Sequence, residues 1–225
     1  MDCPFIDIHT HTVSPEPDVF SIVSLSAGDD VPSEGFFSSA VHPWDFSKEK
    51  FPFERAIQQV EQNALRPNIL AIGETGLDSI HSDTLPLQKD SLIRHIRLAE
   101  KVCKPVILHA VHSANDLLEQ YISMRPSQPW ILHGFNGNGQ EISQLVNHGL
   151  YLSVGAAVLK DESRIARSIA TLPLDHLFLE TDTSDISIKE IYLCIAERLG
   201  ISLSDLHKHL CENFHHCFSL NLLNL

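Results

Sequence analysis

Basic side chains are scarce in this 225-residue chain: 16 Lys and Arg stand against 29 Asp and Glu, a net charge of −13 with histidine neutral. Such a surface repels polyphosphate at long range, which argues against tight, salt-sensitive, non-specific nucleic-acid binding. A bound divalent cation inverts that sign locally, so a phosphate substrate at a metal site stays open. Long apolar runs are missing too. No stretch approaches about eighteen consecutive apolar residues, and MDCPFIDIHTH lacks a basic segment followed by an apolar one, so neither a membrane span nor a secretory leader is expected. The five cysteines, Cys3, Cys103, Cys194, Cys211 and Cys217, have no CxxC spacing and mostly sit in apolar runs. They read as reduced, mostly buried thiols, hence as those of a cytoplasmic protein.

No internal repeat, low-complexity tract or linker divides the chain, so residues 1–225 read as a single domain. Short β-rich runs recur at FIDIH (5–9), VFSIVSL (19–25), FFSSAVH (36–42), ILAIG (69–73), PVILH (105–109), PWILH (129–133), LYLSVG (150–155) and HLFLET (176–181). From residue 51 onward, segments such as FPFERAIQQVEQNAL, LPLQKDSLIRHIRLAEKVC and SANDLLEQYISM follow them with apolar residues at helical spacing. Strand and helix in alternation predict a parallel sheet, and eight strands predict a compact (β/α)8 TIM barrel. TVSPEPD and SAGDDVPSEG are too polar and too rich in Pro and Gly for helices, so the first two helices are expected to be reduced to loops. ISIKEIYLCIAERLG and SLSDLHKHLCENFHHCFSLNLL read as closing helices, the second capped by Ser202 or Ser204.

The ionisable residues collect at the ends of these runs. His9 and His11 end the first, Glu74 follows ILAIG, His109 ends PVILH, His133 ends PWILH and Asp182 ends HLFLETD. Strand residues two apart share a face, so His9 and His11 aim the same way. Alone, that pair fits either rim histidines or metal ligands. In a barrel the C-terminal strand ends form one face where active sites are built, and four His, one Glu and one Asp are suitable ligands for one or two divalent cations, Zn, Mn or Mg.

IDIHTH, AVHPWDF, AIGETGLD, LPLQKDSLIRHIRLAEK, KPVILHAVHSANDLLE, ILHGFNGNGQ and FLETDTS, in that order, make the chain resemble the TatD-related metal-dependent hydrolases of the amidohydrolase type of barrel. The resemblance implies that His9, His11 and Asp182 hold one metal with Glu74, and that His109 and His133 hold a second, with Glu74 bridging. It implies that Asp182 orients a metal-activated water and accepts its proton, and that Asp182 and Glu74 are the catalytic carboxylates. By resemblance the substrate is DNA, at single-stranded ends, or a small phosphoester. Family members often carry Arg or Lys soon after the histidine of the fifth strand, whereas AVHSA offers only His112.

His42, followed by Trp44 in AVHPW, and His112 are candidate substrate contacts; the Trp either packs or stacks on a base. Asp78 is a candidate for orienting the loop after Glu74 or a ligating histidine. GFNGNGQ reads as a turn before a helix, and His207, His209, His215 and His216 as surface or capping residues. Two other functions stay open: an amide, ester or lactone hydrolase on the same barrel, and a metal-binding scaffold without turnover.

Overall fold

The computed structural model describes residues 3–220 and 222. The sequence expectations that touch Met1, Asp2, Asn221 and the last three residues lie outside the described residues. Eight strands form, β1 (Phe5–Thr10), β2 (Val19–Ser26), β3 (Phe36–Ala40), β4 (Ile69–Asp78), β5 (Val106–Val111), β6 (Trp130–Leu132), β7 (Tyr151–Val154) and β8 (Leu177–Leu179). They are hydrogen-bonded in chain order as one sheet, the sheet of a (β/α)8 barrel. No helix stands between β1 and β2 or between β2 and β3, as the Pro- and Gly-rich connections predict. The helices are α1 (Phe53–Asn63), α2 (Leu85–Val102), α3 (Ala114–Met124), α4 (Gly139–Val146), α5 (Arg164–Ser168), α6 (Ile188–Leu199) and α7 (Leu203–Phe218). None of the described helices is long and apolar enough to cross a membrane.

The chain clusters into two compact units, residues 1–22 with 132–225, and residues 23–131. In the first, β1 meets β8, and α6 and α7 pack on β1. Tyr192 of α6 is buried with its hydroxyl between the N–H and the carbonyl of Ile6, at 3.0 and 3.2 Å. Ser202 caps α7 by accepting from the Asp205 N–H, and Asn138 caps α4 in a reciprocal box with Glu141, so GFNGNGQ is indeed the turn before a helix.

In the second unit, β3, β4 and β5 pair in parallel, with α2 packed on β4. β4 runs five residues past the apolar run ILAIG, because Gly76, Leu77 and Asp78 keep pairing with His109, Ala110 and Val111 of β5. Glu74 therefore lies within a strand and not at its end. α2 holds this unit with two buried polar side chains. Gln88 accepts from the Asp78 N–H at 2.8 Å and donates to the carbonyls of Asp78 and His81. His95 donates from Nδ1 to the Ser91 carbonyl at 2.7 Å, which leaves Nε2 to accept from the Val41 N–H at 3.0 Å. Both satisfy backbone groups that strand pairing leaves over.

Cys3 and Cys211 form a disulfide across 208 residues of sequence, which corrects the expectation of five reduced thiols. The pairing is non-local: Cys3 precedes β1 and Cys211 lies on α7, which packs on β1, so no local spacing signals it. Cys103 (exposed), Cys194 (half-buried) and Cys217 (buried) are free thiols. His207 also departs from its expected surface role. Its ring stacks on Phe5 with centroids 4.9 Å apart.

Burial pushes the His95 imidazole down to about 4 from its ordinary 6.5. The folded state thus binds the neutral ring, and its contribution to stability is complete above about pH 6.5 and lost as pH falls toward 4. Denaturant titrations across that window are expected to lose stability at up to roughly 1 kcal/mol per pH unit from this group. His95→Gln, which keeps an acceptor, should flatten that component. His95→Ala should cost about 1–3 kcal/mol at neutral pH by stranding the Val41 N–H.

Candidate metal centre

In the first unit, β1 carries Asp7, His9 and, one residue past its end, His11 at alternating positions that share a face. The β8 segment continues as Glu180, Thr181 and Asp182. The Asp182 N–H donates to the His9 carbonyl at 3.0 Å and the His11 N–H to the Asp182 carbonyl at 3.2 Å. That backbone exchange brings Oδ1 of Asp182 to 3.3 Å from Nε2 of His11 and 3.6 Å from Nε2 of His9. The His133 ring, from the end of β6, stands 4.3 Å from that of His9, centroid to centroid. One donor atom each from His9, His133 and Asp182 falls within a span of 4.8 Å, compact enough for a single cation.

The carboxylates behind this cluster are buried and hydrogen-bonded. Asp7 accepts from the Thr181 N–H at 3.0 Å and the Thr181 hydroxyl at 2.6 Å. Burial nevertheless pushes its carboxyl up to about 7. Glu180, fully buried, accepts from the Gly134 N–H at 2.6 Å and lies 3.4 Å from Nδ1 of His133, an arrangement that orients an imidazole. Asp182 behaves oppositely to Asp7: partial burial raises its carboxyl, but the imidazoles of His11, His9 and His133 outweigh that and hold it well below the usual carboxylate range.

The second unit builds a parallel arrangement. Oε1 of Glu74, a buried side chain, lies 2.6 Å from Nδ1 of His109 and 3.0 Å from Nε2 of His42. Nδ1 of His42 accepts from the Trp44 N–H, so Nε2 carries the proton and donates to Glu74. His42, Glu74 and His109 again bring donor atoms within 4.8 Å. Behind them Asp78 sits 3.6 Å from Nε2 of His109 and accepts from the Trp44 indole N–H at 2.6 Å and the Ile80 N–H at 2.9 Å. Burial pushes the Asp78 carboxyl up, while those two donors and the charge of His109 more than offset it and hold it low. Trp44 is 53% exposed beside the His42 and His109 rings. His112 follows β5 in a left-handed conformation and is exposed.

Imidazole nitrogens mixed with carboxylate oxygens are the donor chemistry of zinc and manganese sites, so the residues present fit the divalent cations expected from sequence. All six expected ligands enter these groups: His9, His11, His133 and Asp182 in the first unit, Glu74 and His109 in the second. His42 joins Glu74 as well. Sequence reasoning missed Asp7, Thr181, Glu180, Gln88 and His95. For Asp7 a signal existed, since it lies two residues before His9 on the same strand face, and Glu180 is the acid two residues before Asp182.

The family model described as TatD related DNase matches residues 6–219 of the 225. The chain belongs to the TatD-related DNase family. A relative in Buchnera aphidicola, named an uncharacterized metal-dependent hydrolase, is 31% identical over 158 residues, 68% of this chain and 60% of that protein. The 3'-5' ssDNA/RNA exonuclease TatD of Escherichia coli K12 is 30% identical over 152 residues, 64% of this chain and 56% of its own length. The matches thus span under two thirds of either relative. The crystal structure of a TatD homologue from Escherichia coli superposes with a TM-score of 0.81 over 98% of this chain and all of that one, at 23% identity, a likeness of fold.

Gly76 lets this TatD-family second unit close. It has φ +150°, and a Cβ there would stand 2.1 Å from the His109 carbonyl oxygen. The three nearest atoms all belong to the His109 backbone, so no side chain can yield. Gly76→Ala is expected to destabilise by about 3 kcal/mol or more in chemical denaturation, and to shift the His109 imidazole resonances in NMR spectra of any protein that still folds.

Proposed function

We propose that this TatD-family protein is a metal-dependent hydrolase that cleaves phosphodiester bonds at the ends of DNA. The observation that carries the reading is the paired gathering of imidazoles and carboxylates, His9, His11, His133 and Asp182 in one unit and His42, Glu74 and His109 in the other, in a chain of this family. Supporting the substrate class are relatives named for it, the Escherichia coli exonuclease and a deoxyribonuclease Tat-D of Schizosaccharomyces pombe.

In this reading His9, His11, Glu74, His109, His133 and Asp182 hold one or two divalent cations, with zinc or manganese favoured over magnesium by the number of imidazoles. Such a cation lowers the pKa of the water it binds and polarises a phosphoryl oxygen. Asp182, beside that water, would orient it and take its proton as the P–O bond to the leaving nucleotide breaks. Glu74 fixes the His109 and His42 rings by accepting from them. His42 and His112 face the substrate, and the exposed Trp44 ring offers a terminal base a stacking surface. An acidic chain without a neighbouring Arg fork suits a substrate bound mainly through its reacting phosphate. Cytoplasmic residence belongs to the same proposal: the free thiols of Cys103, Cys194 and Cys217 support it, and the Cys3–Cys211 disulfide counts against it.

End-labelled single-stranded DNA oligonucleotides, incubated with protein and added Zn, Mn or Mg, test it. Stepwise, metal-dependent shortening is expected, falling at least about 100-fold in Glu74→Gln and in Asp182→Ala. DNA left intact by wild type with every metal, while metal analysis finds the ion bound, would remove DNA as substrate and turn the search to small phosphoesters and carbonyl compounds.

A further inference from the structure

Away from the strand ends that bear these clusters, on the segment that precedes β1, a third group of ligand atoms gathers. Cys3, His207 and Cys211 each offer one donor atom within 4.8 Å of the others, and all three are half-buried. His207 and Cys211 are four residues apart on α7 and so share a face, while Cys3 arrives from the chain before β1. Two features make this more than a cystine beside a histidine. The Pro4 carbonyl, which can only accept, lies 2.9 Å from Nε2 of His207, so Nε2 carries the proton and Nδ1 of the neutral ring keeps its lone pair. An imidazole that donates one nitrogen to a backbone carbonyl and leaves the other open is the orientation that metal-ligating histidines adopt. The stacking of Phe5 on His207 and the Pro4 bond hold residues 4 and 5 against α7 independently of the S–S bond, so the sulfurs stay neighbours after it is cut. The nearby cation Lys189, 5.3 Å from the Phe5 ring centroid, has its charge engaged by Glu16 and Asp18.

We propose that Cys3, His207 and Cys211 form a thiolate and imidazole site for zinc or a similar borderline-soft divalent cation, available once the disulfide is reduced. With a phosphine reductant the disulfide, the phosphine and one water give two thiols and the phosphine oxide. Binding then releases both thiol protons and leaves the fourth tetrahedral position to solvent. Oxidised, the same residues cross-link the segment before β1 to α7; reduced, they join it through the ion.

Cobalt(II) isolates this site spectroscopically, because neither strand-end cluster contains a cysteine. Phosphine-reduced full-length protein titrated with cobalt(II) should develop a thiolate-to-cobalt charge-transfer band that is lost in the Cys3→Ser/Cys211→Ser variant and weakened in His207→Ala. Absence of the band in reduced wild type, or its survival in the double variant, would overturn the proposal. A second measurement needs no variant. Zinc should slow alkylation of Cys3 and Cys211 by iodoacetamide in reduced wild type, followed by peptide mass mapping, while Cys103 reacts as before. Equal rates at Cys3 and Cys211 with and without zinc would also overturn it.

Discussion

The parallel seam between β1 and the segment after β8 is the constraint on which the first cluster depends. Two backbone hydrogen bonds, Asp182 N–H to His9 O and His11 N–H to Asp182 O, continue the pairing beyond the last residue of β8. They hold Asp182 at φ +53°, a conformation a non-glycine residue keeps only when its surroundings impose it. The Cα from which the carboxylate projects is therefore fixed at the seam. Asp7, one pleat below His9, secures the same seam from inside by accepting both donors of Thr181.

The second cluster is organised from behind by α2. Gln88 fixes the end of β4 through Asp78, and His95 fixes the segment after β3 through Val41, so one helix determines where Asp78 and His42 stand. Each buried carboxylate in either unit meets its own donors, as burial of charge demands. This is how a chain of net charge −13 buries Asp7, Glu74, Asp78 and Glu180 with at least one donor to each carboxyl group.

Much of this was legible in the sequence. The apolar runs located all eight strands, and the Pro- and Gly-rich early connections announced the two missing helices, because both signals are local. The six candidate ligand residues, whose role as ligands is proposed, stood out through period-two spacing in β1 and through their places at the ends of apolar runs. What stayed hidden is non-local. β4 extends through the polar GETGLD because β5 offers it a partner, and no apolar pattern encodes a partner's length. His95 looks like one more residue of an amphipathic helix until the Val41 N–H is found against it. Cys3 and Cys211 looked like unrelated thiols because their proximity is a product of the finished fold.

That last pairing changes the covalent topology of the molecule. With Cys3 and Cys211 joined, the backbone from residue 3 to residue 211 becomes a single macrocycle. A protease cutting once in any of the exposed connections between strands and helices opens the ring but releases no fragment. The nicked protein keeps its mass apart from one added water, and the strands and helices on either side of the cut remain tethered for reassembly.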